Sequence, residues 1–507
     1  MSGEGVTQLR RPNAHNVFPA IPPVEAKQGE QTGLACWMQR VLDQIDRVGT
    51  NLEADPVHDL RVALRRCRSL ADGMRLIDPS PAWKHMKREG TKLFRALGQL
   101  RDSQVMTEWI EKLAAPDDLV GKALAANTAA REGELKRAAL ADLQEFNRKR
   151  WIGWSDLLPK REIKLRLGND VFRHMALERW TEARSLQEQA LRNRSRVSYH
   201  RLRIGLKRLR YTIENFLPEL HQAWIRDLKE LQDLLGEVHD LDVVWATANH
   251  IRAFPDKDVR SRWGSIISSE RTKRLEKYRS KMVGRDSLWY VWRKELPHGS
   301  EIEGAAMARL KIWASLLDPE FPHAQRVARV ALQIYDGLEK NGLMPRGRDQ
   351  DLRAILHVAG LLHGVGRSKR TRQYHKSSAR MLRKLRPPLG WNAKDLHFAG
   401  LISRYHRGPL PSLEQWEYRK LGAGQRKKAE LLAGILRLAE ALDAERNGTV
   451  TRIRVENDNG YLSVVAKGYV SNSPGAERVA RARHLLEIVY GQPVIVRGEP
   501  VKMKPAP

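Results

Sequence analysis

Four side chains, His58, Arg61, Arg65 and Arg68, recur at steps of three and four residues, which sets them along one face of a helix. Residues so spaced have Cβ atoms about 5–6 Å apart, and their like charges repel unless something anionic lies over them. A guanidinium fork matches the oxygens of a phosphate, and an imidazole can donate one further hydrogen bond. The chemistry on offer is the holding of a polyanion. The same device returns as His200, Arg203, Lys207 and Arg210, and both copies read His-x-x-Arg-x-x-x-(Arg/Lys)-x-x-Arg.

The elements that must carry these side chains are legible one residue away. Val57, Leu60, Leu64, Cys67, Ala71 and Met74 keep the same steps, as do Leu202, Leu206, Leu209, Ile213 and Phe216. One residue turns about 100° round a helix, so each basic stripe runs beside a stripe that must be buried. Asp55-Pro56 reads as the start of the first helix, a carboxylate cap followed by proline. His58 and His200 are then expected in the first turns, where free backbone N–H groups favour an anion. A run of Arg and Lys is usually a solvated face. Against that reading stand the exact repetition, the histidine opening each copy, and the scarcity of acidic partners; Val62 occupies the i+4 position from His58. Each copy is followed by a second matching segment, LGQLRDSQV at 97–105 and LGEVHDLDV at 235–243. An internal duplication explains both pairs.

These two helices and their LG-x-x-x-D followers resemble the CHAD domain, a tandem pair of four-helix units. The resemblance covers roughly residues 31–296, as two repeats at 31–160 and 161–296. It implies binding of inorganic polyphosphate, with His58, Arg61, Arg65, Arg68, His200, Arg203, Lys207 and Arg210 as the binding residues.

Bulk properties agree with a polyanion partner. The 507 residues carry 90 Lys and Arg against 60 Asp and Glu, a formal charge of +30, and the excess is spread over both parts of the chain. Such a field attracts polyanions and speeds their capture. Two cysteines, Cys36 and Cys67, give neither a disulfide framework nor a zinc spacing. No apolar run approaches membrane-spanning length and the N-terminus lacks the apolar centre of a secretory signal, so the expected location is the cytoplasm, with no membrane partner. Nucleic acid is a lesser alternative partner: the charge serves it, but no recognition motif is present, and Tyr199 and Tyr211 are the only aromatic candidates beside the stripes.

Along the chain, residues 1–30 are rich in Pro, Gly and polar residues and read as a disordered arm. Helices are expected at 34–48, 83–100 with Arg101-Asp102 at the following turn or the start of the next helix, and 118–146. The segment 151–164, holding Pro159, punctuates the halves. Residues 166–191 and 220–235 then repeat the pattern, followed by two more helices ending near 294. Pro297-His298-Gly299-Ser300 is a linker. Beyond it, helices are expected at 307–338, 351–362, 375–386, 396–405 and 430–444. A hairpin turning on Asp458-Asn459-Gly460, a helix at 478–490 and a last strand at 493–497 follow. The fold class is mostly α: duplicated four-helix bundles, then an HD-like α domain with a small C-terminal β-hairpin subdomain.

Several histidines in this second part have fixed surroundings: DPEFPHAQRV with His323, LLHGVG with His363, YHKSSARML with His375 and RYHRG with His406. With LRLAEALDAER they resemble the C-terminal HD-type region of the exopolyphosphatase and guanosine pentaphosphate phosphohydrolase family, over about 305–497 of a unit ending at 507. An HD hydrolase holds a divalent metal with His, a His-Asp pair and a later Asp, and uses it to activate water. The resemblance makes His323, His363 and Glu440 vestigial metal candidates, with Asp443 near Glu440, but Gly364 stands where the paired carboxylate belongs. The expected reading is therefore a non-catalytic polyphosphate-binding or granule-associated protein without a cofactor. A secondary phosphate-binding surface is expected from His375, Lys376, Arg404, His406 and Arg407, helped by the basic run 367–372. The alternative is a metal-dependent HD phosphohydrolase acting on polyphosphate or guanosine polyphosphates. A carboxylate restored at 364 is expected to raise metal affinity unless the backbone there needs glycine.

Overall fold

The structure, a computed structural model, describes residues 33–49, 52–165, 169–345, 351–370, 372–458, 460–472 and 474–499. The arm expected at 1–30 lies outside them. Ten helices build the first part: α1 (Leu34–Val48), α2 (Ala54–Met74), α3 (Pro81–Leu113), α4 (Leu119–Gln144), α5 (Arg148–Glu162), α6 (Asp170–Asn193), α7 (Arg196–Phe216), α8 (Pro218–His250), α9 (Lys257–Met282) and α10 (Leu288–Arg293). The duplication is visible in their lengths. α2 and α7 have 21 residues each, α3 and α8 33, α4 and α9 26. Consecutive helices pack in both halves, and like meets like across them, α2 on α7 and α3 on α8, as a pseudo-two-fold arrangement requires.

The buried stripes do the work assigned to them. Leu60, Leu64, Cys67, Leu202, Leu209 and Ile213 are buried in one core that runs through both halves. A smaller core lies near the far ends of the long helices, where Trp109 and Val120 meet Val244 and Trp263. Its lip is tied by Asp118, which caps α4 and also accepts from Arg262 and Trp263 of α9.

Three sequence expectations change. Arg101 and Asp102 lie in no turn; α3 runs unbroken past them, because no Gly or Pro interrupts it there and Leu97, Leu100 and Met106 keep it anchored. The segment around Pro159 is helical, with Trp151 and Leu158 buried against α1 and α3. The single helix expected over 307–338 is two, α11 (Ser300–Ser315) and α12 (Phe321–Lys340), parted at Asp318-Pro319. Proline cannot follow a helical residue without strain, and Pro322 then sits in the first turn of α12.

The second part continues with α13 (Leu352–Leu362), α14 (Tyr374–Lys384), α15 (Ala393–Tyr405), α16 (Trp416–Arg419), α17 (Ala423–Leu442), β1 (Arg452–Asp458), β2 (Tyr461–Lys467), α18 (Ala476–Tyr490) and β3 (Val494–Gly498). α12, α13, α15 and α17 enclose its own core. β1 and β2 form the antiparallel hairpin, with Val455 opposite Val464. β3 adds to β2 in parallel, with Val496 opposite Val464, after the crossover through α18 that a parallel pair needs. The fold is mostly α with this one small sheet. Arg309 of α11 is buried against the first part, donating to Glu178 of α6 at 2.8 Å and to the Leu76 carbonyl at 3.2 Å. Among the described residues, no helix is long and apolar enough to cross a membrane.

Candidate functional site

Where α2 packs on α7, the two basic stripes come together. Asn215 of α7 donates to Ser69 of α2 at 2.9 Å, Arg66 pairs with Glu214, and the Arg65 guanidinium lies 5.9 Å from the centre of the Tyr211 ring. Lys207 feels the charges of Arg203, Arg65 and Arg61; burial and these neighbours push its ammonium down to about 8. Burial likewise lowers Arg61 and Arg68, and Arg65 and Arg101 add to the effect at Arg61. A crowd of cations costs free energy in the folded protein, so it persists only where something else rewards it.

Their hydrogen-bonding capacity is also unspent. Buried ring or guanidinium nitrogens of Arg65, Arg68, His200, Arg203 and Arg210 have no hydrogen-bond partner among the described residues. Buried donors are almost always satisfied, so five such nitrogens together on two facing stripes leave this patch short of acceptors. Phe94 of α3 lies under the Arg61 and Arg68 guanidiniums at 4.7 and 4.2 Å, and the Phe94 carbonyl accepts from Arg61 at 3.3 Å. The ring fixes two otherwise floppy arms by cation–π contact. Sequence reasoning passed over Phe94 because it lies on α3 rather than on a stripe.

It also passed over two carboxylates. Asp102 and Asp240, the last residues of the repeated LG-x-x-x-D elements, stand in the middle of the basic field. Partial burial raises both; Arg61, Arg203 and Lys207 pull Asp102 back down, and Arg203 and Lys207 do the same for Asp240, which also feels Asp102. The repetition of the motif was the signal, and a repeated acid following a repeated basic stripe is its counter-charge. The histidines differ from expectation in one respect. α2 begins at Ala54 and α7 at Arg196, so His58 and His200 sit one turn inside, beyond the free N–H groups of the helix ends. The cap of α2 is Glu53 rather than Asp55. His58 is exposed, whereas His200 is half-buried, lowered by burial and by Arg203, with its ring 4.8 Å from that of His239.

In the second part, His323, His363, His375 and His406 form one buried cluster. Ring centres lie 5.9 Å apart for His323–His363, 4.8 Å for His363–His406 and 6.4 Å for His375–His406. The carboxylate that meets His323 is that of Asp443, 2.7 Å from Nδ1; Glu440, the residue expected there, precedes it on α17. The secondary phosphate surface is split. His406 is inside, bonded to the Ser403 carbonyl and the Tyr374 hydroxyl, and His375 is buried beside it, while Lys376 and Arg407 are exposed and Arg404 pairs with Glu417 at 3.5 Å. Burial pushes His363 down to about 3 and His375 to about 4.

The residues present do not fit a divalent metal. Nε2 of His323 and of His363 are buried without partners among the described residues, which alone would suit one. But a Cβ built at Gly364 lands on the carboxylate of Asp318, the residue released by the break before α12. Gly364 has ordinary helical dihedrals, φ −90° and ψ −11°, so it is crowding, not a glycine-only backbone, that excludes a side chain. Asp318 is in turn held by Arg367, at 3.2 Å, whose guanidinium also reaches Glu320 at 3.1 Å and lies 4.3 Å over the Tyr374 ring. A fixed cation occupies the carboxylates a metal would need. No group of three ligating side chains among the described residues is arranged to hold a metal ion.

Comparison with protein families gives two matches. Residues 38–249 match the CHAD domain, and residues 314–472 match the Ppx/GppA phosphatase, domain III. The chain joins a CHAD domain to a Ppx/GppA-type domain III. The CHAD match contains both stripes, and the domain III match contains the histidine cluster and the β1–β2 hairpin. No curated protein matches the chain.

Proposed function

We propose that the CHAD region, taken as residues 31–296, binds inorganic polyphosphate in a cleft lined by the two stripes, with the 305–507 unit as a non-catalytic companion. The observation that carries this reading is the set of guanidinium donors on Arg65, Arg68 and Arg203 without hydrogen-bond partners among the described residues, within a field crowded enough to depress Lys207. A flexible chain with one or more charges per phosphate fills such a cleft at low conformational cost and neutralises every member of it. Phe94 and Tyr211 serve the guanidiniums, so the rings do not offer open faces to nucleobases. Asp102 and Asp240 hold the cations apart when no polymer is bound. The domain III region supports a binding role because the carboxylate standing where a side chain at Gly364 would be, that of Asp318, is already taken by Arg367. A cytoplasmic protein of this kind would associate with polyphosphate granules.

Competition tests the reading. A fluorescent DNA duplex bound to the full-length protein should be displaced by long-chain polyphosphate at a far lower concentration of phosphate units than by unlabelled DNA. Displacement at equal concentrations would leave only non-specific charge attraction and sink the proposal.

A further inference from the structure

The cleft does not end alike on its two sides. Beyond His200 the structure opens into a pocket of about 860 Å³ between α4 of the first half and α7 and α8 of the second. Its walls are Val197, Val243, Ala246 and Ile251, with Asn127 and Thr247 among the polar groups. Val197 and Val243 are 61% and 37% exposed there, apolar side chains standing open to water. His200 and His239 form the end nearest the stripe, and both feel the charges of Arg203 and Lys207. On the opposite side of the pseudo-two-fold, Arg101 occupies the position of His239 in the repeated LG-x-x-x-D element. One end of the cleft therefore continues as guanidinium, and the other changes to imidazole and then to a mixed wall, where Val197, Val243, Ala246 and Ile251 stand beside Arg131 and Arg196.

A chain charged at every unit gains nothing from the apolar part of that wall, since bringing its oxygens against Val197 and Val243 strips water without replacing it. Asp242, also in the lining, is neutralised by Arg196 at 3.1 Å and Arg271 at 3.5 Å and adds a polar edge to the pocket. The pocket suits a group that is flat and largely apolar, with edge donors and acceptors for Asn127, Thr247 and the Asp242 carboxylate. We infer that it takes the nucleoside end of a nucleoside polyphosphate whose phosphates lie on His200, Arg203 and Lys207. The inference rests on the cleft proposed above and specifies what can occupy its one asymmetric end.

The test compares ATP with inorganic triphosphate, titrated calorimetrically into the full-length protein at fixed ionic strength. Triphosphate is the more highly charged, so it binds at least as tightly if charge alone acts. The inference predicts the reverse, ATP tighter by about tenfold or more, as expected from burying the base's apolar surface against Val197, Val243 and Ile251. Ala246→Trp, at an exposed position that tolerates bulk, should fill the pocket and abolish the difference while leaving triphosphate binding unchanged; Val243→Glu should act in the same direction. Equal binding of the two, tighter triphosphate, or an ATP preference that survives both variants overturns the inference and leaves the polyphosphate cleft standing. Failure of triphosphate, ATP and long-chain polyphosphate alike overturns both.

Discussion

Replacing Arg61, Arg65, Arg203 and Arg210 by alanine removes four of the six lysine and arginine side chains that the stripes contribute. Binding of a polyanion releases condensed counterions, and the logarithm of affinity falls with the logarithm of salt with a slope of about −0.7 per neutralised charge on a flexible single strand. Six charges give a slope of about −4, and two give about −1.4. Between 50 and 200 mM salt the parent should lose roughly 300-fold in affinity and the variant only about 7-fold. The helices should survive, because the stripes lie outside the buried faces that hold α2 and α7, and Arg61 sits among like charges whose repulsion the substitution relieves. Fluorescence anisotropy with end-labelled long-chain polyphosphate at four salt concentrations reads the slope, and far-ultraviolet circular dichroism reads the fold. A quadruple variant with the parent's slope and affinity would refute the assignment of these residues.

Four more outcomes are expected. Lys207 is lowered to about 8 from an ordinary 10.5, so a bound polyanion should restore its proton: binding takes up a proton between about pH 8 and 10, affinity falls as pH rises through that window, and Lys207→Met removes the dependence. The same depression means that the unfolded chain holds more protons than the folded one there, so stability of the ligand-free protein should rise with pH from about 8 toward 10. Gly364→Asp should lower the melting temperature by placing a second carboxylate on Asp318, and adding Asp318→Gly should recover much of the loss; additive effects of the two substitutions, measured by denaturant unfolding, would show the positions to be uncoupled. Asp78→Ala should cost about 3–5 kcal/mol, since its buried carboxylate accepts from Trp83 at 2.7 Å and from both arms of Arg161 at 2.6 and 2.7 Å; a loss under 1 kcal/mol in urea unfolding would contradict this.

The architecture was legible because it rests on periodicity. Two helices with paired apolar and basic stripes, repeated with their followers, specify a duplicated bundle whatever else the chain does. What the sequence hid are contacts between residues far apart in the chain. Phe94 reaches the stripe only because α3 folds back on α2, and Asp102 counts as a cleft residue only once α3 is seen to run straight through 101–102. The histidine region shows the same limit more sharply. Gly364 reads as the loss of a carboxylate, yet a carboxylate stands in that place, supplied by Asp318 from a helix break that the apolar pattern over 307–338 did not reveal. His406 looked like a surface donor beside Arg407, but its neighbours Ser403 and Tyr374 draw it inward. Local pattern fixes which face is buried; it does not say which distant side chain fills the space opposite.

The most direct test of the central proposal is the structure of the protein with a polyphosphate chain of about ten or more phosphates bound. Phosphate density should run continuously across α2 and α7, within hydrogen-bond distance of Arg65 and Arg68 on one side and Arg203 and Arg210 on the other. A chain bound only to the outer face of one half, or only to the basic surface around Lys376 and Arg407, would contradict it.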